Sequence, residues 1–234
     1  HRGVQAKAIG EGMSVKVNAN IGTSREVADL AQELEKARVA SEFGADAVMD
    51  LSTGGEIPEI RREILSSCAL PLGTVPIYEA MCGATEKGDP LAMTGDDLFR
   101  TIESHARDGV DFMTVHCGVT RKTAETLSRS DRTTGVVSRG GAMLVAWVRE
   151  NDSENPLFED FDHLLDLASE HGFALSLGDG LRPGSISDAT DAPQIDELIV
   201  LGGLVERARA AGVQAMVEGP GHVPIDQIES NVRM

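Results

Sequence analysis

The run Asp108-Gly109-Val110-Asp111-Phe112-Met113-Thr114-Val115-His116 decides how this chain is read. Upstream, Leu98, Ile102 and Ala106 fall on one helical stripe behind Thr94 and Asp97, a pair suited to capping a helix start. Gly109 supplies the left-handed residue that closes a last helical turn. Phe112–His116 is then a short apolar strand that ends in an ionisable ring. The same helix–glycine–strand join recurs at Phe43-Gly44-Ala-Asp-Ala-Val-Met49, His171-Gly172-Phe-Ala-Leu-Ser176 and Ala211-Gly212-Val-Gln-Ala-Met216. Ahead of Gly44, Thr23 and Glu26 read as a capping box, with Val27, Leu30, Leu34 and Ala37 on one stripe.

Seven short strands are expected, near Val15–Ile21, Ala47–Leu51, Leu72–Ile77, Phe112–His116, Gly135–Ser138, Ala174–Leu177 and Gln214–Val217. Helical patterns follow most of them, which implies parallel strands joined by crossover helices. An open doubly wound sheet and a closed barrel both fit that alternation. The polar residues favour the barrel. Asn20, Asp50, Tyr78, His116, Ser138 with Arg139, Asp179 and Glu218 fall at or just past the carboxyl ends of seven strands. A barrel gathers all such ends on one rim, whereas an open sheet uses only strands beside its switch point. The expected fold is α/β, a (β/α)8 TIM-type barrel over residues 1–234 as one domain. No eighth strand is visible before Met234, and Met81–Met93 reads as a surface loop.

The chain has 234 residues, 41% of them hydrophobic, enough for one large core. No run approaches the ~20 apolar residues of a membrane span, and His1–Gly10 lacks the build of a signal peptide. A cytoplasmic protein is expected. A net charge of −17 argues against a general nucleic-acid or membrane surface. Cys68, Cys82 and Cys117 form no Cys-x-x-Cys pair and supply no recognisable zinc or iron–sulfur site. Cys68 reads as buried filler and Cys82 as a loop bystander; only Cys117, beside His116, is placed for chemistry.

Four motifs carry the chemistry. Ser138-Arg139-Gly140-Gly141 precedes the helical stretch Ala142–Arg149, and amides at a glycine-rich helix start make an anion cradle. The competing reading is an ordinary strand-to-helix turn. In Gly178-Asp179-Gly180-Leu181-Arg182-Pro183-Gly184, Asp179 can accept from a hydroxyl or amine and Arg182 can clamp a carboxylate or phosphate. A plain Asp–Arg pair bracing a tight loop is the alternative. Glu218 and His222 flank Gly-Pro-Gly, so they share a loop, and His222 as a metal ligand needs partners from elsewhere. Asn18 and Asn20 share one strand face. Ser185 and Asp188 read as caps, His105, His163 and His171 as helical, Met49 as core filler, and His1 as uninformative.

These runs resemble the phosphomethylpyrimidine synthase family of thiamine biosynthesis. The matching segments are Val17–Gly22, Val48–Gly54, Gly73–Tyr78, Val115–Gly118, Val137–Gly141, Ser176–Gly184 and Val217–Pro224. The resemblance implies a radical S-adenosylmethionine lyase that rearranges aminoimidazole ribotide to hydroxymethylpyrimidine phosphate. In that family a [4Fe-4S] cluster cleaves S-adenosylmethionine to a 5′-deoxyadenosyl radical. Carried over by motif, Asn20, Met49, Tyr78, His116, Ser138, Arg139, Gly140, Asp179, Gly180, Leu181, Arg182 and Glu218 line the substrate site. His222 becomes the first ligand of a divalent metal, zinc or iron, and a homodimer is implied.

The family's second metal histidine, a further substrate tyrosine and its cluster-binding cysteines lie beyond the last match. The resemblance therefore implies a barrel incomplete at its carboxyl end and inactive alone. 5-Hydroxybenzimidazole synthase shares most of these motifs and uses the same ribotide. A non-catalytic ribotide-binding barrel and a metal-dependent aldolase or hydrolase are the readings from other classes.

Overall fold

The structure, a computed structural model, describes residues 4–219 and 221–234. The readings of His1 and of Pro220 within the Gly-Pro-Gly turn lie outside them. The first half of the chain forms β1 (Asn18–Ile21), α1 (Leu30–Glu42), β2 (Ala47–Asp50), α2 (Ile57–Ser67), β3 (Leu72–Thr74), α3 (Pro76–Glu86) and α4 (Gly95–Asp108). Then come β4 (Phe112–Val115), α5 (Arg121–Ser128), α6 (Arg139–Glu150), α7 (Pro156–Glu159) and α8 (Phe161–His171). The chain continues through β5 (Ala174–Leu177), α9 (Ala192–Ala210), β6 (Ala215–Val217) and α10 (Ile228–Val232).

The described strands form one sheet in the order β1-β2-β3-β4-β5-β6. The recorded pairings are parallel, with Asn20 opposite Met49 and Leu177 opposite Val217. A doubly wound sheet reverses its strand order at a switch point. Here the order follows the chain without reversal, as in the barrel expectation. The joining glycines behave as the sequence pattern requires: Gly44, Gly109, Gly172 and Gly212 have φ of 88°, 94°, 74° and 73°.

The chain divides into two compact units, one running to Met113 with His171–Phe173 and the other made of Thr114–Glu170 and Ala174–Met234. In the first, Val48, Leu72 and Met113 from strands and Ile64, Leu98 and Ile102 from helices are fully buried. Burying each such side chain contributes about 1.5–3 kcal/mol. Thr94 and Asp97 form the expected capping box of α4. A polar cluster lies among these apolar groups. Arg61, wholly buried, donates through Nε and Nη2 to Asp108 at 2.9 and 2.7 Å and also pairs with Glu79. His105 lies between Thr74 Oγ1 at 2.8 Å and Glu79 Oε2 at 2.9 Å. The second unit packs Leu144, Phe161, Leu164, Leu175 and Leu177, all fully buried.

Several local readings are corrected. Leu72–Ile77 is not one strand: β3 stops at Thr74 and Pro76 opens α3. Proline lacks an N–H and its fixed φ suits a first helical turn. Tyr78 therefore sits in the first turn of α3 and not at a strand end. The same helix runs to Glu86 through the segment expected to be a loop from Met81, so Cys82 lies on α3, its Sγ near the Thr53 carbonyl. Gly135–Ser138 is no strand either. The Thr133 and Thr134 amides donate to the Asp188 carboxylate, Gly135 has φ of 60°, and Ser138 caps α6. Asp188 therefore bonds this segment instead of capping its own, and Ser185 makes no cap bond. Thr23 does not cap α1. Its hydroxyl donates to the Gly54 carbonyl, Asp29 caps α1 instead, and Val27 is exposed.

Candidate functional site

In the second unit the glycine motifs meet. Ser138 is the N-cap of α6, its Oγ accepting from the Gly141 amide at 3.1 Å. Ser138 Oγ also lies 3.3 Å from His116 Nε2, as donor or as acceptor according to the ring tautomer. His116 Nδ1 is a buried atom with no partner among the described residues. Complete burial, with a smaller push from the Arg182 charge, drops the His116 pKa to about 4, so the ring is neutral near pH 7.

Absent side chains let these segments touch. A Cβ on Gly140 would lie 2.6 Å from His116 Nδ1, and one on Gly141 would lie 2.6 Å from the Gly180 carbonyl carbon. Both are closer than real Cβ contacts, so the amino end of α6 presses on His116 and on the Gly178–Gly184 turn. Asn155, fully buried, holds the loop after β4: its Nδ2 donates to the His116 and Val119 carbonyls, each at 2.9 Å.

The Gly178–Gly184 turn and the loop after β6 complete the cluster. Arg182 Nη1 donates to Asp179 Oδ1 at 2.9 Å. Glu218 Oε1 accepts from Thr114 Oγ1 at 3.1 Å and Ser176 Oγ at 3.3 Å. A Cβ on Gly221 would lie 2.5 Å from Asp179 Oδ2. Burial pushes the Asp179 and Glu218 carboxyls above their ordinary range, and the Asp179 charge raises Glu218 further. Two interacting carboxyls beside one guanidinium favour a shared proton, which suits a ligand bearing amines or hydroxyls. Both line a cleft of about 330 Å³ walled by Leu198, Leu201 and Val205 of α9. A larger cavity of about 410 Å³, in the first unit between α3 and α4, is lined by Glu79 of the Arg61 cluster and by none of the motif residues.

His222 has φ of 58°, and its Nδ1 lies 2.7 Å from the Pro183 carbonyl oxygen. A carbonyl only accepts, so Nδ1 carries the proton and a neutral ring keeps Nε2 for a metal. That is one ligand. Among the described residues no group of three His, Cys, Asp or Glu side chains stands ready to hold a metal ion. The residues described therefore fit neither an iron–sulfur cluster nor a complete divalent-metal site, and His222 supplies a single nitrogen donor. Cys117 is also corrected: it is wholly buried, and burial pushes its thiol far up, so no thiolate forms there. Cys68, at the end of α2, is half-buried and not core filler.

The remaining motif residues belong to the first unit. Asn18 and Asn20 are both exposed on β1, as a shared face requires, and Asn18 Nδ2 lies 3.6 Å from Met49 Sδ. Met49 and Tyr78 are buried. Asp50 is buried against Ser52, whose amide and hydroxyl donate to it at 3.0 and 2.5 Å, and burial raises its carboxyl. Sequence reading passed over Thr114, Asn155, Arg132 and Glu197 as site residues. Asn155 before Pro156 signals a helix cap, which it is, but nothing local signals its reach to His116.

The Radical SAM ThiC family model matches residues 1–234. A phosphomethylpyrimidine synthase of Thermus thermophilus is 57% identical over 228 residues, covering 97% of this chain and 52% of that protein. Those of Methanopyrus kandleri and Pyrococcus abyssi are 57% and 55% identical, over 99% and 100% of this chain. The chain spans about half the length of these curated relatives: 54% and 55% of the latter two.

Proposed function

The chain belongs to the Radical SAM ThiC family, and from that premise we propose that it forms the ribotide-binding part of a phosphomethylpyrimidine synthase, an enzyme acting on aminoimidazole ribotide in thiamine biosynthesis. The observation that carries the reading is the meeting of three glycine motifs in the second unit, with Gly141 against Gly180 and Gly221 against Asp179. The α6 amino end, with Ser138, Arg139 and Gly140, offers amides and a guanidinium to the ribotide phosphate. Asp179 and Glu218 accept from its amine and hydroxyl groups, and Arg182 offsets their carboxylate charge. His116 stays neutral and contributes its unpartnered Nδ1 to the ligand's hydrogen bonds. Gly180 and Leu181 shape the turn. Asn20, Met49 and Tyr78 are further ligand contacts on the motif match alone.

S-adenosylmethionine and a [4Fe-4S] cluster supply radical chemistry in this family, and no group among the described residues fits the cluster. His222 is one ligand of a divalent metal. The active enzyme is a cytoplasmic homodimer. Turnover with S-adenosylmethionine and a reductant tests the reading, with products identified by mass. 5′-Deoxyadenosine with hydroxymethylpyrimidine phosphate is the expected result for this chain within a protein of its relatives' length, and none for residues 1–234 alone. A hydroxybenzimidazole product, or turnover by residues 1–234 alone, overturns it.

A further inference from the structure

Both peptide groups of Leu181 are held by side chains from outside the Gly178–Gly184 turn. Its N–H donates to Glu197 Oε2 at 2.7 Å, and its carbonyl accepts from Arg132 Nη2 at 2.5 Å. Arg132 Nη1 also reaches the Arg182 carbonyl, at 3.4 Å. Neither holder is a solvated surface group: Glu197 is 2% exposed and the Arg132 side chain 2%. Both are anchored to one helix. Glu197 lies on α9, and Arg132 forks onto Asp191, the N-cap of α9, at 2.6 and 2.7 Å. A bidentate guanidinium pair fixes orientation as well as distance.

The grip leaves little slack. Leu181 is fully buried, and a Cβ on Gly180 would lie 2.5 Å from Val119 Cγ2 and 3.1 Å from Glu197 Oε1. The two residues flanking this gripped pair of glycine and leucine are Asp179 and Arg182. A half-ångström shift of the turn moves both, and binding sites depend on support at that scale. A buried turn satisfies its peptide groups with water or backbone more often than with two buried charged-type side chains from distant segments.

We propose that Arg132 and Glu197 are positioning residues that grip the Leu181 peptides from opposite sides and so set where Asp179 and Arg182 meet the ligand. This rests on the reading of the turn as part of a ribotide site. The test measures two things on the full chain: aminoimidazole ribotide affinity by calorimetry, and hydrogen exchange of the Leu181 amide. Glu197→Leu removes the acceptor, and Glu197→Gln keeps it. Arg132→Lys keeps the charge and loses the fork.

Glu197→Leu and Arg132→Lys are expected to weaken ribotide binding by about ten-fold or more, with a Leu181 amide that exchanges about ten-fold faster. Glu197→Gln is expected to stay within about three-fold of the parent on both measures. Should Glu197→Leu fail to fold, Arg132→Lys and Glu197→Gln carry the comparison. Parent-like binding in Arg132→Lys, or loss of binding in a folded Glu197→Gln, overturns the proposal. If the parent chain binds no ribotide, the ribotide reading fails by itself. Leu181 exchange then decides the grip: faster in Arg132→Lys supports it, and unchanged overturns it.

Discussion

Gly140 and His116 occupy one space: a Cβ at residue 140 would stand 2.6 Å from the ring's Nδ1. The ring cannot retreat on its other side, where a Cβ on Gly178 would lie 2.9 Å from His116 Cδ2. Imidazole is therefore sandwiched between two bare backbones. Gly140→Ala is expected to cost about 1–3 kcal/mol of stability by overpacking and to push α6 away from His116. Ribotide affinity should fall more steeply than stability. Urea denaturation with calorimetry checks this; a variant as stable and as tightly binding as the parent contradicts the packing described.

The sandwich also fixes a titration. An unfolded histidine titrates near 6.5 and His116 at about 4. Above 6.5 the ring is neutral in both states and costs nothing. As pH falls from 6.5 towards 4 the unfolded chain takes the proton first, so this ring's contribution to stability is lost across that window. The His116 ring resonances should titrate with a midpoint near 4, and His116→Asn should lack this acid-side loss.

How much of this was legible follows from the range of the interactions. Gly109, Thr94 with Asp97, and the apolar core of β4 act within one or two turns of themselves, so sequence pattern finds them. Gly135–Ser138 resembles a strand by composition, yet the amides of Thr133 and Thr134 just before it go to Asp188, more than fifty residues on, and no local pattern records that. Tyr78 was misplaced for a local reason: the apolar run through Val75 and Ile77 outweighed Pro76, whose ring opens a helix. The motif residues themselves were readable because glycines beside charges are costly unless used. Arg132, Asn155 and Glu197 were not, since each looks ordinary until its distant partner is known.

Glu197 gives a prediction of opposite sign to that of His116. Burial raises its carboxyl from 4.5 to about 8. Below 4.5 both states keep the proton. Between 4.5 and about 8 the unfolded chain releases it while the folded chain retains it, so stability falls as pH rises, and above about 8 the loss is constant. Glu197→Gln removes that slope and is expected to be more stable than the parent at pH 8–9, by up to a few kcal/mol. Thermal melts across pH 4–9 read it directly, and parallel curves for the two proteins contradict it.

Arg61 tests the first unit separately. It is the cation that lies between Asp108 and Glu79 in the buried cluster. Arg61→Met leaves those carboxylates uncompensated and should cost about 3–5 kcal/mol. Adding Asp108→Asn and Glu79→Gln removes the stranded charge and should recover part of the loss. Denaturant midpoints of the single and triple variants check the direction.

The central claim is that the second unit carries a ribotide site built from Asp179, Arg182 and Glu218, and calorimetric titration of the chain with aminoimidazole ribotide tests it most directly. The account predicts saturable one-to-one binding, weakened about ten-fold or more in folded Arg182→Gln and Glu218→Gln variants. Absence of saturable binding, or equal affinity in both variants, would contradict it.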